Sequence, residues 1–328
     1  MAQHTVYVTR KIHEDVYRHL ARVSNLILWD EDSPVPLPEL CTGVQDADGL
    51  LCMPDNRITR EVIEAGPKLR VISTASTSYA HIDISAATER GITVCYAPGT
   101  AEDAIADMTM ALVLACARHL IDAHQYIKDG RWQYWYPDLF AGAEMQGSAI
   151  GIIGLGNTGM RVAHRALGFG MRVFYYDPRR DVDAEQLIGI QYGSLDNVLR
   201  EADFVTLHVP PSPSTQHLIT AERLHLMKPT AYLINMAHGS AVDHDALVQA
   251  LSEGWIAGAG LDVYDEEPIA PDDPLLAFPN VVFSPHLGAN TTHAISRMMW
   301  MAAEQLIQVL QGHKPSHPVL VPPEDQAA

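Results

Sequence analysis

The chain has 328 residues, enough for two domains, and its 47% hydrophobic content suits a globular protein with a sizeable core. A formal net charge of −18 disfavours nonspecific attachment to nucleic acid or to an anionic membrane. The four cysteines (Cys41, Cys52, Cys95, Cys116) form no C-x-x-C pair and read as reduced thiols in apolar surroundings.

In chain order, the first hundred residues alternate short apolar runs at 5–8, 26–29, 49–53, 70–74 and 93–97 with helical patterns such as 12–23, 60–65 and 82–90. That alternation predicts an α/β domain with a parallel sheet of about five strands. Residues 101–128 contain no Pro or Gly and read as one long helix, apolar almost all round in its middle and therefore buried, either between domains or at a subunit interface. The aromatic stretch Trp132-Gln-Tyr-Trp-Tyr-Pro137 follows, either a packed loop or a lid or interface segment. Strand runs at 149–153, 171–176, 204–209, 231–235, 256–263 and 281–284 predict a second, doubly wound parallel sheet. A last helix at about 291–310 has Asn290 as its expected N-cap, and a Pro-rich tail spans 315–323. The N-terminus lacks a signal-peptide core, and the densest apolar run, 108–117, is too short to span a bilayer, so a cytoplasmic location is expected.

One unit of the second block carries a specific chemistry. The strand 149–153 leads into Gly154-Leu-Gly-Asn-Thr-Gly159, and Met160, Ala163 and Leu167 then recur at helical spacing. Gly154 permits the turn, Gly156 lets a pyrophosphate approach the backbone, and Gly159 lets helix pack on strand. Asn157 and Thr158 open the helix, whose free N–H groups attract phosphate. Asp177 closes the next strand, 18 residues after Gly159 (177 − 159), where an acid accepts from ribose hydroxyls. Strand, turn, helix, strand and acid together predict dinucleotide binding. Asp177 favours NAD over NADP, while Arg179 and Arg180 leave room for the extra phosphate of NADP.

Polar residues gather where three later strands end: Asn235-Met-Ala-His-Gly239, Asp262-Val-Tyr-Asp-Glu-Glu-Pro268 and Ser284-Pro-His-Leu-Gly288. Hydride transfer to a carbonyl needs a proton donor for the oxygen, and histidine titrates near neutrality. Among 16 histidines, His286 stands out by its place after a strand, between Pro285 and Gly288. No metal is expected.

Over nearly its whole length the chain resembles the D-isomer-specific 2-hydroxyacid dehydrogenases. The resemblance rests on the glycine fingerprint, on Leu207-His-Val-Pro-Pro211, and on the runs from Leu261 to Pro268 and from Ser284 to Gly288. It implies two Rossmann-like and flavodoxin-like parallel-sheet domains, the dinucleotide domain inserted into the substrate domain. The expected bounds are 1–99 for the first part of the substrate domain, 100–287 for the dinucleotide domain, and 288–328 for the helix and tail that return. It also implies a homodimer acting on a small-molecule substrate. By the family pattern His286 is the acid/base, Glu267 its carboxylate partner, and Asp262 lies near the nicotinamide. His208 and Pro210 join the cofactor set. Met53, Ser76, Thr77 and Ser78 are the substrate set, with backbone N–H groups of the 76–79 loop holding the carboxylate.

The departures carry as much information. The family motif Asn-x-x-Arg-Gly becomes Asn235-Met-Ala-His-Gly239, so His238 stands where a substrate-anchoring arginine belongs. Histidine lacks the permanent charge and rigid fork of arginine. Ser78 replaces the usual glycine, Ala80 the usual aspartate, and Glu102 a common threonine. Met53-Pro-Asp55 and Trp135 are similar to phosphite dehydrogenases, but Thr77 and His238 fall where those have lysine and arginine, so phosphite oxidation is not expected. Three readings of His238 stay open. It binds a 2-oxo acid weakly and best at low pH as imidazolium; it serves a substrate without a simple carboxylate; or the chain is a non-catalytic NAD(H)-binding regulator. Retention of Glu267 and His286 favours an NAD-dependent oxidoreductase that exchanges hydride with a 2-oxo acid or D-2-hydroxy acid.

Overall fold

The computed structural model describes residues 4–320. Its contacts divide the chain into two units, one of Met1–Ala101 with Thr291–Ala328, the other of Glu102–Asn290.

In the first unit β1 (His4–Val8), β2 (Ser24–Leu28), β3 (Gly49–Cys52), β4 (Val71–Thr74) and β5 (Thr93–Cys95) form a parallel sheet in the order β2-β1-β3-β4-β5. This is a flavodoxin-like order. β3 and β4 are buried along their whole length, which is why their sequences read as unbroken apolar or small runs. The edge strand β2 alternates, with every second residue exposed. Helices α1 (Glu14–Ala21), α2 (Leu37–Val44), α3 (Arg60–Ala65) and α4 (Ile84–Glu89) connect the strands. The sequence pattern did not single out α2, because Pro36 and Pro38 flank its start; proline is well tolerated in a first helical turn.

The second unit begins with α5 (Glu102–Ala117) and α6 (Leu120–Lys128). Here the single helix expected over 101–128 is corrected. His119 adopts a left-handed conformation with φ 49°, and the two helices bend by 64° at that point. Burial within the chain differs between the two halves. α5 is buried over nine of its 16 residues and packs on the fingerprint helix, whereas α6 buries none. Of the two readings of the aromatic stretch, the packed loop is disfavoured within the chain: Trp132, Tyr134 and Trp135 are 59%, 59% and 77% exposed.

The strands of this unit are β6 (Ala149–Ile153), β7 (Arg172–Tyr176), β8 (Gln191–Tyr192), β9 (Phe204–Leu207), β10 (Tyr232–Asn235), β11 (Gly258–Leu261) and β12 (Val281–Phe283). All pair in parallel, in the order β12-β11-β10-β9-β6-β7-β8. Helices α7 (Asn157–Gly168), α8 (Val182–Ile188), α9 (Leu195–Glu201), α10 (Ala221–Leu224) and α11 (His244–Ser252) lie between them. The chain leaves β6 toward β7 on one side and resumes at β9 on the other, so β6 and β9 flank the topological switch point. Ligands bind outside the carboxyl ends of strands at such a point.

The chain then returns to the first unit as α12 (Thr292–Leu310). Its N-cap is Thr291, whose hydroxyl accepts from Ala294 N–H, and not Asn290 as expected. α12 packs on β3, β4 and β5. Ser73 donates to the Ala302 carbonyl at 2.8 Å, and the fully buried Leu306 covers Gly49. The Pro-rich tail expected at 315–323 lies only in part within the described residues. Among those residues no single helix is long and apolar enough to cross a membrane. No group of three or more His, Cys, Asp or Glu is placed there to hold a metal ion.

Candidate active site

The glycine loop sits at the switch point. Gly154 has φ 94°, and a Cβ there would come within 2.7 Å of the His208 carbonyl oxygen. The loop after β6 therefore closes against the loop after β9, and only glycine fits that approach. At Gly156 a Cβ would meet nothing within 4 Å, so its surface stays open. Gly156 and Asn157 are exposed, Thr158 is half-buried and Gly159 is buried. The first turn of α7 thus presents N–H groups to solvent, with the positive end of its dipole. Asp177 ends β7 half-buried; its carboxylate accepts from Leu155 N–H at 3.0 Å and Arg179 N–H at 2.9 Å. An open cradle, a helix N-terminus and an acid fixed beside both are a set that fits a dinucleotide. Arg180 does not face that acid freely, because Glu185 holds its guanidinium in two bonds of 2.8 Å. His208 is a neutral ring: burial pulls its pKa down to about 3, and neither ring nitrogen has a partner. Pro210, two residues on, is exposed.

The acid/base candidates meet after β11 and β12. His286 Nδ1 lies 2.7 Å from Glu267 Oε2, while Glu267 Oε1 accepts from Tyr264 N–H at 3.0 Å. The hydrogen bond to Glu267 raises the His286 pKa, its burial opposing and the neighbouring charges reinforcing. Burial works against charge on Glu267, but the His286 and Tyr264 bonds outweigh it and hold its pKa below the usual value. With Nδ1 engaged, Nε2 is the ring nitrogen left for a substrate.

Asp262 is 1% exposed, and the loop after β12 occupies its carboxylate. Oδ1 accepts from Ser284 Oγ and from Leu287 N–H, and Oδ2 from Gly288 N–H at 2.8 Å. Its backbone carbonyl takes His286 N–H at 2.9 Å. His286 has φ 53°, a strained value for histidine, and these bonds hold it there. Asp262 thus acts on the His286 loop, and Ser284 and Tyr264 join it. Sequence reasoning quoted both residues inside their motifs but gave them no task; a buried acid facing a Ser-Pro-His run was the available signal.

His238 follows β10. Asn235 fixes its loop, donating to the His238 carbonyl at 2.9 Å and accepting from Ala237 N–H at 3.1 Å. A Cβ at Gly239 would overlap the Tyr264 backbone at 2.0 Å, so this loop and the Glu267 loop touch directly. His238 Nδ1 lies 3.0 Å from Ser240 Oγ, and its Nε2 is shielded and unpartnered. Burial lowers the His238 pKa, against the opposing pull of the Pro210 carbonyl and Asp265. Burial therefore disfavours the imidazolium form on which the low-pH anchor reading depends.

The substrate candidates of the first unit lie at the carboxyl ends of β3 and β4. Met53 is 8% exposed, and its N–H donates to Thr9 Oγ1 at 3.2 Å. Ser76 is 9% exposed, Thr77 half-buried and Ser78 exposed. Ser78 N–H already donates to Ser76 Oγ at 3.1 Å. Beneath the loop, His81 Nε2 meets Thr74 Oγ1 at 3.0 Å, and burial lowers its pKa to about 4. His81 is therefore a neutral support that the motif reading passed over.

Comparison with known proteins agrees with this geometry. A family model described as the NAD binding domain of D-isomer specific 2-hydroxyacid dehydrogenase matches residues 110–288. The chain belongs to this family of nicotinamide-dependent oxidoreductases of 2-oxo and 2-hydroxy acids. It is 44% identical to a glyoxylate reductase of Thermofilum pendens, over 98% of this chain and 95% of that one. The crystal structure of the TT0316 protein from Thermus thermophilus superposes with a TM-score of 0.90 at 40% identity, covering 96% of this chain and 100% of the other. The D-lactate dehydrogenase of Aquifex aeolicus, solved with NAD and lactic acid, gives 0.83 at 28% identity, covering 97% of this chain and 100% of that one.

Proposed function

We propose that this protein is an NAD-dependent reductase of small 2-oxo acids, with glyoxylate as the first substrate to test. The observation that carries the reading is the His286–Glu267 pair, 2.7 Å apart on the sheet edge that also presents the glycine cradle. A bound reduced nicotinamide supplies the hydride. His286 gives its Nε2 proton to the carbonyl oxygen. Glu267 orients the ring through Nδ1 and favours its charged form. Asp262 holds the His286 loop. Gly154, Gly156, Asn157, Thr158 and Gly159 receive the pyrophosphate, Asp177 the ribose hydroxyls, and His208 and Pro210 border the crevice. Met53 and Ser76–Ser78 are assigned to the acid group. Asp177 supports NAD over NADP. A cytoplasmic homodimer is part of this reading, with the exposed Leu120, Ile121 and Ile127 of α6 and the aromatic segment after it as its interface.

His238 favours one alternative, nucleotide binding with little turnover of acids, because a neutral, shielded ring replaces a guanidinium fork. The deciding experiment is NADH oxidation with glyoxylate, hydroxypyruvate and pyruvate, for wild type and His238→Arg. Turnover by wild type supports the reductase. An inert wild type whose His238→Arg variant gains activity, by about 10- to 100-fold over background for a bidentate carboxylate anchor, moves the reading to the nucleotide-binding alternative.

A further inference from the structure

Two arginines follow Asp177, and the structure gives them different circumstances. Arg180 is clamped: its Nε reaches Glu185 Oε1 and one terminal nitrogen reaches Oε2, both at 2.8 Å. Its guanidinium lies 5.4 Å from the centre of the Tyr192 ring. Glu185 is itself fixed. Its side chain is only 17% exposed, and Tyr175 O–H donates to Oε1 at 3.0 Å. That hydroxyl also accepts from Asp181 N–H at 2.9 Å, and the Tyr175 ring packs edge-on to Tyr192 at 5.4 Å. Arg179 has its backbone N–H on Asp177 and makes no ion pair among the described residues.

We propose that Glu185 is a cofactor-specificity residue that acts through Arg180. By holding the guanidinium in a bidentate pair, it withholds from an adenosine 2′-phosphate one of the two cations that follow Asp177 and leaves only Arg179 to receive it. The inference rests on the reading that Asp177 marks the adenosine ribose. Discrimination against NADP then has two parts, repulsion by Asp177 and sequestration of Arg180 by Glu185. The second part is a charge-assisted fork, in which planar guanidinium and carboxylate satisfy each other's donors and acceptors together. Neutralising Glu185 while keeping its shape frees the fork and leaves the Tyr175 bond in place.

The test is a fluorescence titration of the purified protein with NADH and with NADPH. In Glu185→Gln the NADPH dissociation constant falls about tenfold, the scale of one charge-assisted bidentate contact, while that for NADH stays within about twofold. Adding Arg180→Ala to Glu185→Gln erases the gain. Arg180→Ala alone leaves NADPH affinity unchanged, because the wild-type guanidinium is already engaged. Asp183→Asn, an exposed acid on the same helix, produces no comparable gain. The proposal is overturned if Glu185→Gln tightens both cofactors alike or neither, if Asp183→Asn matches it, or if Arg180→Ala alone weakens NADPH. Failure of wild type to bind NADH overturns the dinucleotide reading itself. Normal NADH binding with an unresponsive NADPH affinity overturns only the sequestration of Arg180.

Discussion

In the proposed mechanism His286 and Glu267 set how the reaction depends on pH. The bond to Glu267 raises the His286 pKa above its ordinary 6.5, so the protonated donor persists above that value. Reduction needs the charged ring, so kcat/KM for reduction is flat at low pH and falls as pH rises through the raised pKa. Glu267→Gln removes the carboxylate that favours the charge, and the falling limb moves to lower pH. His286→Ala lowers turnover by about 10²- to 10⁴-fold with NADH binding retained. A steady-state pH profile with a parallel NADH titration checks both, and an unmoved limb in Glu267→Gln would remove that residue from its assigned task. The motifs around these residues were legible because each is contiguous and follows a strand end. What the motifs did not carry is how each side chain is engaged. Asp262 reads as a cofactor neighbour in sequence, yet the structure closes its carboxylate on Ser284, Leu287 and Gly288. His238 reads as a pH-dependent anchor, and burial moves its pKa downward against the pull of Pro210 and Asp265.

Among the elements, eleven of the twelve described strands were read within a residue or two, because buried parallel strands are short apolar runs bounded by turn residues, whereas β8, two exposed residues long, was not read. The break between α5 and α6 was not legible. No Gly or Pro marks it, and Arg118-His119 is compatible with a continuous helix. His119 nonetheless takes φ 49°, a conformation that costs a residue with a Cβ about 1 kcal/mol. His119→Gly should therefore stabilise the protein by roughly 0.5–1 kcal/mol. A rise in the thermal unfolding midpoint of the protein without cofactor is the readout, and a fall would mean that the histidine ring makes a contact worth more than the backbone strain. Packing explains the bend. α5 is held on α7, β10 and β11, while α6 buries no residue and is touched mainly at Tyr126, by Phe140 and Arg131.

At the scale of the whole molecule, the proposed homodimer places the exposed face of α6 and the 132–136 segment in its interface. Leu120, Ile121, Ile127, Trp132 and Trp135 are each more than half exposed, a clustering unusual for a monomer's surface. Sedimentation at micromolar concentration should give a dimer for wild type and a monomer for Ile121→Glu with Trp135→Glu; a monomeric wild type would sink the assignment. The sequence alone determined the α/β class, the parallel sheets, the dinucleotide loop and the family, because these depend on local periodicity and contiguous motifs. Tertiary structure decided the rest: that α12 returns about 200 residues later to pack on β3, β4 and β5, that α5 ends at Ala117 with the break at His119, that Asp262 serves a loop 22–26 residues away, and that Glu185 commits Arg180. These outcomes depend on which distant groups meet, and a hydrogen bond or a buried charge is settled by its neighbours in space, which a linear pattern does not record.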